Sequence, residues 1–245
     1  MQANPTAAGF DATRLNRITD FLNESYITPG KITGCQTLVA RHGELAYFTS
    51  MGLADRERNT AMADDTIFRI YSMTKPITSV ALMQLYEQGK FQLNDPVHRA
   101  IPQWRDQRVW VSGDEVFETR APDRSMTFRD VLSHTGGLTY GGGTHPVEKA
   151  YAAAGLREDG STLATFIDQL AGIPLRYSPG DAWLYSFSTD VCGYLVEALS
   201  GKPFDVYLRE EIFEPLGMNE TGFTVPDASA ARLAANYRRK ADKTL

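Results

Sequence analysis

The stretch Phe68-Arg69-Ile70-Tyr71-Ser72-Met73-Thr74-Lys75-Pro76 decides how the chain is read. A short approach segment, Thr66 to Tyr71, delivers a serine to the mouth of a helix. Ile77, Val80, Ala81 and Leu85 then recur at helical spacing until Gly89 stops the pattern. Pro76 fits only in the first turn, where no N–H is required of it, and it biases Lys75 away from ideal helical geometry. Ser72 and Lys75, three residues apart, share one face of that turn. A serine hydroxyl is a poor nucleophile at neutral pH and needs a neighbouring base. Lysine ordinarily titrates near 10.4, so it serves only where burial or positive potential lowers that value. A helix N-terminus in a dry cleft supplies both, and its N–H groups can donate to an oxyanion. Spacing alone is weak, since the composition gives roughly 0.4 such Ser/Lys pairs by chance. The position before a helix is what lifts the pair above a capping serine and a solvated lysine.

Working outward, Thr37 to Ala40 and Glu44 to Ser50 read as two strands around Arg41-His42-Gly43, with Gly43 permitting a tight turn. Asp11 caps a helix carrying Leu15, Ile18, Phe21 and Leu22 on one face. Thr127 with Asp130 opens another, running through Leu132 to Gly136-Gly137. Further helices are expected at about 162–171, 189–200 (capped by Ser188, ended by Gly201) and 203–213. The glycine-rich stretch 136–143 lacks a phosphate-loop lysine and reads as a loop. Only one hairpin is evident, and two strands make a marginal sheet for so many helices to pack on. The basic last twenty residues hold no closing strand, so a second chain or a further C-terminal segment is expected to complete the sheet.

The chain of 245 residues can hold one large domain or two modest ones. Its net charge of −5 argues against nucleic acid or an anionic membrane as partner. No apolar run approaches the roughly 20 residues of a membrane span, and Met1 to Phe10 shows no secretory pattern, so a cytoplasmic location is expected. Cys35 and Cys192 sit in apolar stretches and read as free thiols. The four histidines are scattered without metal-ligand spacing, so no metal or other cofactor is expected.

Tyr185, in Trp183-Leu184-Tyr185-Ser186-Phe187, is the second chemical candidate: a phenol near an ammonium ionises more easily and can shuttle a proton. Alone, a tyrosine in an aromatic stretch reads as core. His134, in Leu132-Ser133-His134-Thr135-Gly136-Gly137-Leu138, invites a Ser-His-Asp reading, but no G-x-S-x-G elbow is present, and it reads as a structural residue bonding the loop.

Taken together these segments resemble the class C β-lactamase and DD-peptidase superfamily, and within it the family VIII carboxylesterases. The resemblance rests on Phe68 to Pro76, Leu93-Asn94-Asp95-Pro96-Val97, Leu132 to Leu138, Tyr177-Ser178-Pro179-Gly180, Tyr185-Ser186, Asp190 to Glu197 and Pro215-Leu216-Gly217-Met218, in that order. It implies an α+β, β-lactamase-like fold: an antiparallel sheet flanked by helices, plus a mostly helical domain. The matching organisation is 1–90 for the N-terminal part of the α/β domain with the nucleophile helix, 91–200 for the mostly helical domain, and 201–245 for the return towards the α/β domain. It implies Ser72 as acylated nucleophile with Lys75 and Tyr185 handling protons. Trp183, Phe187 and Tyr140 are the candidates for substrate contact. The expected activity is hydrolysis of short- to medium-chain carboxylic esters of small molecules. The alternatives are a β-lactamase, a D-amino-acid peptidase or acyltransferase, and a non-catalytic sensor domain. Two departures stand out. Phe187 occupies a position where β-lactamases carry an asparagine, which favours simple esters, and the family's K-T-G-type third motif is absent, Lys243-Thr244-Leu245 being no substitute.

Overall fold

The structure is a computed structural model and describes residues 3–156 and 160–242; Lys243-Thr244-Leu245 lie outside the described residues. The chain divides into two compact units, Met1–Ile70 with Thr224–Leu245, and Tyr71–Phe223.

In the first unit, α1 (Ala12–Leu22) starts where Asp11 accepts the N–H of Arg14 at 3.1 Å. Leu15 is buried, whereas Phe21 is 55% exposed and packs edge-on against Tyr26 instead of joining the inner face. Strands β1 (Gly34–Arg41) and β2 (Glu44–Asp55) pair antiparallel, with Arg41 opposite Glu44, and β3 (Thr60–Ala61) adds to β2. The connecting turn is only His42-Gly43, with φ of 56° and 78°. Both residues are left-handed, as the turn that matches strand twist requires, so His42 shares the demand the sequence placed on Gly43 alone. Ala46 and Tyr47 from β2, with Ala8 and Leu15, form a small core. The segment after Phe223 returns along this unit. Ile67 pairs in parallel with Leu233, Ala235 N–H donates to the Ala54 carbonyl, and Tyr237 donates to the Glu57 carboxylate.

The second unit is mostly helical. Helix α2 (Thr74–Glu87) buries Thr78, Ala81, Leu82 and Leu85, which stand four, seven, eight and eleven residues after Thr74, while Val80 is 52% exposed. The inner face is therefore rotated from the expected one, and Thr78 is tolerated there because its hydroxyl donates back to the Thr74 carbonyl. A second hairpin follows, β4 (Val109–Ser112) with β5 (Glu118–Arg120), where the sequence reading found one hairpin in all. Helix α3 (Phe128–Leu132) begins at a complete Thr127/Asp130 capping box and ends before Gly136, earlier than expected. Then come α4 (Pro146–Ala153), α5 (Leu163–Ala171, capped by Thr162), α6 (Ser188–Ser200) and α7 (Phe204–Leu208), the last running into a wider turn, Arg209–Phe213. Ser188 lies inside α6, not at its cap, and Gly201 ends it in the left-handed region at φ 74°. Helix α6 buries Val191, Cys192, Leu195 and Val196 and runs through the middle of the core, beside Leu82, Leu85, Phe128 and Ile167. Each such side chain contributes about 1.5–3 kcal/mol of burial. Both cysteines are free; Cys192 is buried, which pushes its thiol up to about 12, and Cys35 is half-buried. Among the described residues, no helix is long and apolar enough to cross a membrane.

Candidate active site

Ser72 stands in a single tight turn, Tyr71–Met73, that feeds directly into α2. Tyr71 holds φ at 43°, a region costing a bulky L-residue about 1–2 kcal/mol, so the backbone is strained one residue before the serine. No side chain caps α2 at Met73. Lys75, in the first helical turn, places Nζ 3.4 Å from Ser72 Oγ, so the helix accommodates Lys75 despite Pro76.

Tyr185 arrives from a distant part of the chain. Its segment is tied to the loop after α3 by backbone bonds from Leu184 N–H to the His134 carbonyl and from Phe187 N–H to the Thr139 carbonyl. The phenol reaches to 3.1 Å from Ser72 Oγ, and Lys75 Nζ sits 5.0 Å from the Tyr185 ring centre. Lys75 beside the phenol, and then the Ser72 hydroxyl, lower its pKa from the ordinary 10. The structure thus brings Ser72, Lys75 and Tyr185 together around one hydroxyl, all three within the second unit.

The other candidates separate. Tyr140 lies beside this group, 5.5 Å from the Tyr185 ring and 5.9 Å from Lys75 Nζ. Trp183 is 65% exposed, and its ring centre is 6.2 Å from that of His134. Phe187 is only 3% exposed, stacked on Tyr140 at 4.5 Å and packed against Tyr151 and Phe166. Its ring belongs to the core side of an aromatic series running His134, Tyr185, Tyr140, Phe187.

A cavity of about 530 Å³ opens at Ser72 and Lys75 and runs between α2 and α6. Thr78 lines it from α2, and Asp190, Gly193 and Glu197 from α6; Leu163, Phe204, Asp205 and Phe223 line it further, and Tyr140, a candidate for substrate contact, borders it as well. Tyr140 apart, these wall residues belong to no chemical motif in the sequence. Their signal was available in part: positions 190, 193 and 197 recur at i, i+3 and i+7 and so share one helix face. Glu197 is also fixed in place, its Oε1 accepting the Phe204 N–H at 2.8 Å. Among the described lining residues Lys75 brings an ammonium, and Glu197 and Asp205 bring carboxylates.

Behind the site, Asp130 anchors the loop that carries His134. It receives Arg124 through two bonds of 2.6 and 2.8 Å and also Thr127 and Thr135. Gly137, at φ 80°, passes so close to Tyr177 that a Cβ would fall 2.1 Å from its carbonyl oxygen. Arg176 N–H donates to the Gly137 carbonyl at 2.7 Å, which closes the loop against the segment leading to Tyr185.

The chain is similar to several known proteins. Esterase EstB of Burkholderia gladioli is 34% identical over 243 residues, covering 96% of this chain and 57% of that protein. Among solved structures, EstCE1, a hydrolase with promiscuous acyltransferase activity, superposes with a TM-score of 0.76 at 31% identity, covering 91% of this chain and 56% of that one. Unliganded simvastatin synthase (LovD) from Aspergillus terreus gives 0.79 at 29% identity, covering 96% and 61%. The chain spans about half the length of the curated relatives it matches. The fold is the β-lactamase-like α+β fold of these structures. A family model described as Beta-lactamase matches residues 22–245, a range that takes in Ser72, Lys75 and Tyr185, and the chain belongs to the beta-lactamase family.

Proposed function

We propose that the chain carries the acyl-enzyme machinery of a serine hydrolase acting on short- to medium-chain carboxylic esters, a carboxylesterase. The observation that carries this reading is the meeting of two proton-handling groups, Lys75 and Tyr185, on one exposed serine hydroxyl. Similarity to Esterase EstB and to the hydrolase EstCE1 supports it. Ser72 Oγ loses its proton to the Tyr185–Lys75 pair and attacks the ester carbonyl carbon. The resulting oxyanion is stabilised by the Ser72 N–H, in the turn that leads into α2. Collapse breaks the bond to the alcohol oxygen, which leaves with the proton held by the pair. Water then attacks the acyl-serine while the same pair takes its proton, and Ser72 is regenerated. The phenol and the ammonium act as one coupled unit, so the proton belongs to the pair and not to either partner.

Phe187 is buried and offers no amide to a β-lactam or peptide, which keeps simple esters first. Acyl transfer to an alcohol is the second reading, favoured by similarity to simvastatin synthase and by the acyltransferase activity named for EstCE1. The test is hydrolysis of p-nitrophenyl butyrate by wild type and Ser72→Ala. The variant is expected to lose at least about 10³-fold in rate, and equal turnover would remove Ser72 from the mechanism. Added alcohol that raises p-nitrophenol release and yields a new ester would put acyl transfer first.

A further inference from the structure

The clearest group the mechanism above leaves unused is His134, which stands at three separate points of contact with the segment bearing Tyr185. Its carbonyl accepts the Leu184 N–H at 2.9 Å. Its ring stacks on the Tyr185 ring, 5.2 Å between centres and 21° between planes. Its Nδ1 accepts the Ser186 N–H at 3.2 Å, and the Ser186 hydroxyl lies 3.0 Å from the same nitrogen and 2.7 Å from Ser188 Oγ. A backbone N–H can only donate, so Nδ1 must present a lone pair, and the ring is the neutral tautomer protonated on Nε2. Burial first, and then the nearby Lys75 ammonium, lower the histidine pKa and keep it in that state. His134 also holds φ at 58°, a conformation of limited tolerance for residues with a Cβ, so the backbone here is bent to bring the ring to its place.

We propose that His134 is a positioning residue for the reaction: through Nδ1 and its ring face, it fixes Tyr185 at hydrogen-bonding distance from Ser72. The proposal rests on the role given to Tyr185 in the proposed function. Residues 184, 185 and 186 are each held by a different part of one histidine, which leaves the phenol little freedom to swing away from the serine. A misplacement of about 1 Å in such a group costs on the order of 10²-fold in rate. His134 itself does not bond Ser72 or exchange its proton, so its effect falls on kcat and leaves substrate affinity alone.

Two variants separate the acceptor from the ring. His134→Phe keeps an aromatic face and loses the acceptor; His134→Asn keeps an acceptor at a comparable position and tolerates positive φ. Two readouts are taken on each, with circular dichroism to verify folding. The first is kcat and KM for p-nitrophenyl butyrate. The second, independent of turnover, is the ultraviolet titration of the Tyr185 phenol, isolated by subtracting the matching Tyr185→Phe protein. In folded His134→Phe, kcat is expected to fall tenfold or more with KM within twofold, and the phenol is expected to titrate closer to the ordinary 10. His134→Asn is expected to keep kcat within about fivefold and to retain the lowered phenol. Unchanged kcat and phenol titration in folded His134→Phe would overturn the proposal. If that variant does not fold, His134→Gly, which tolerates the positive φ and removes both ring and acceptor, takes its place, and unchanged kcat and phenol titration there would overturn the proposal. A wild type that cleaves no ester, yet shows a lowered Tyr185 phenol that His134→Phe restores, would defeat the esterase reading and leave the positioning role standing.

Discussion

Tyr185 has a phenol lowered from its ordinary 10, chiefly by Lys75 and then by Ser72. The Tyr185–Lys75 pair must give up a proton before it can take the serine's, so kcat/KM for a neutral ester rises with pH through a limb below 10. Replacing Lys75 with Met removes the cation, and the limb is expected to move up towards about 10, with kcat/KM at pH 7 falling on the order of 10²-fold. Rates from pH 6 to 11 with p-nitrophenyl butyrate, corrected for spontaneous hydrolysis, check this; a limb that stays put in Lys75→Met belongs to some other group. At this scale Ser72, Lys75 and Tyr185 were legible because each side chain has its own acid–base chemistry and a recognisable setting. Phe187 was not. Trp183 and Tyr185 are exposed on alternate positions of an extended run, and continuing that alternation puts residue 187 outward too. At Phe187 the backbone has already turned to φ −68° and ψ 10° to enter α6, and the ring swings inward. The motif match that made Phe187 a candidate for substrate contact fixes its place in the chain, not the direction in which its ring turns.

Helix α3 shows what sequence does capture at the level of an element. The Thr127/Asp130 capping box was readable from spacing and stands complete in the structure. What spacing could not show is that the same Asp130 carboxylate is the anchor of the following loop, with Arg124 and Thr135 converging on it. Burial alone would raise the Asp130 pKa; the bonds from Arg124 and Thr127 outweigh it and the net shift is downward. A folded value below the unfolded one, about 3.9, means that Asp130 contributes stability above that pH and loses it as pH falls through the folded value. Asp130→Ala removes the cap and leaves Arg124 unpaired. Breaking a buried pair costs about 3–5 kcal/mol, and the half-exposed guanidinium brings the expectation down to about 2–4 kcal/mol at pH 7. Urea unfolding measures it, and the gap between wild type and variant is expected to narrow towards pH 2. An equal gap at both pH values would assign the loss to packing instead of charge. The β4–β5 hairpin went unread for the opposite reason: strands of four and three residues, one of them Glu-Thr-Arg, carry almost no hydrophobic pattern.

Across the whole molecule, the helical content and the family were legible because long amphipathic helices and ordered motifs survive without coordinates. The division at Ile70/Tyr71 was not, since it falls inside the motif that names the fold, and local pattern says nothing of which distant segments a residue packs with. Nor was the cavity between α2 and α6, which is assembled from residues between positions 71 and 223. Its charge has a consequence for substrate choice. The chain carries a net −5, and among the described lining residues Glu197 and Asp205 bring two carboxylates to the cavity beside the single ammonium of Lys75. An ester whose acyl group ends in a carboxylate must enter that field. At separations of 6–8 Å and an effective dielectric between protein surface and water, the net repulsion is on the order of 1 kcal/mol, or about fivefold in kcat/KM. The mono-p-nitrophenyl ester of glutaric acid is therefore expected to react about five- to tenfold more slowly than p-nitrophenyl valerate, a neutral ester of similar length. Salt at 0.5 M should narrow the difference by screening. Glu197→Gln should narrow it further while retaining the acceptor for the Phe204 N–H, so the wall keeps its shape and loses one charge. A ratio unaffected by both salt and Glu197→Gln would mean that the acyl group does not enter this cavity, and that the acid-lined space between α2 and α6 plays no part in choosing the ester.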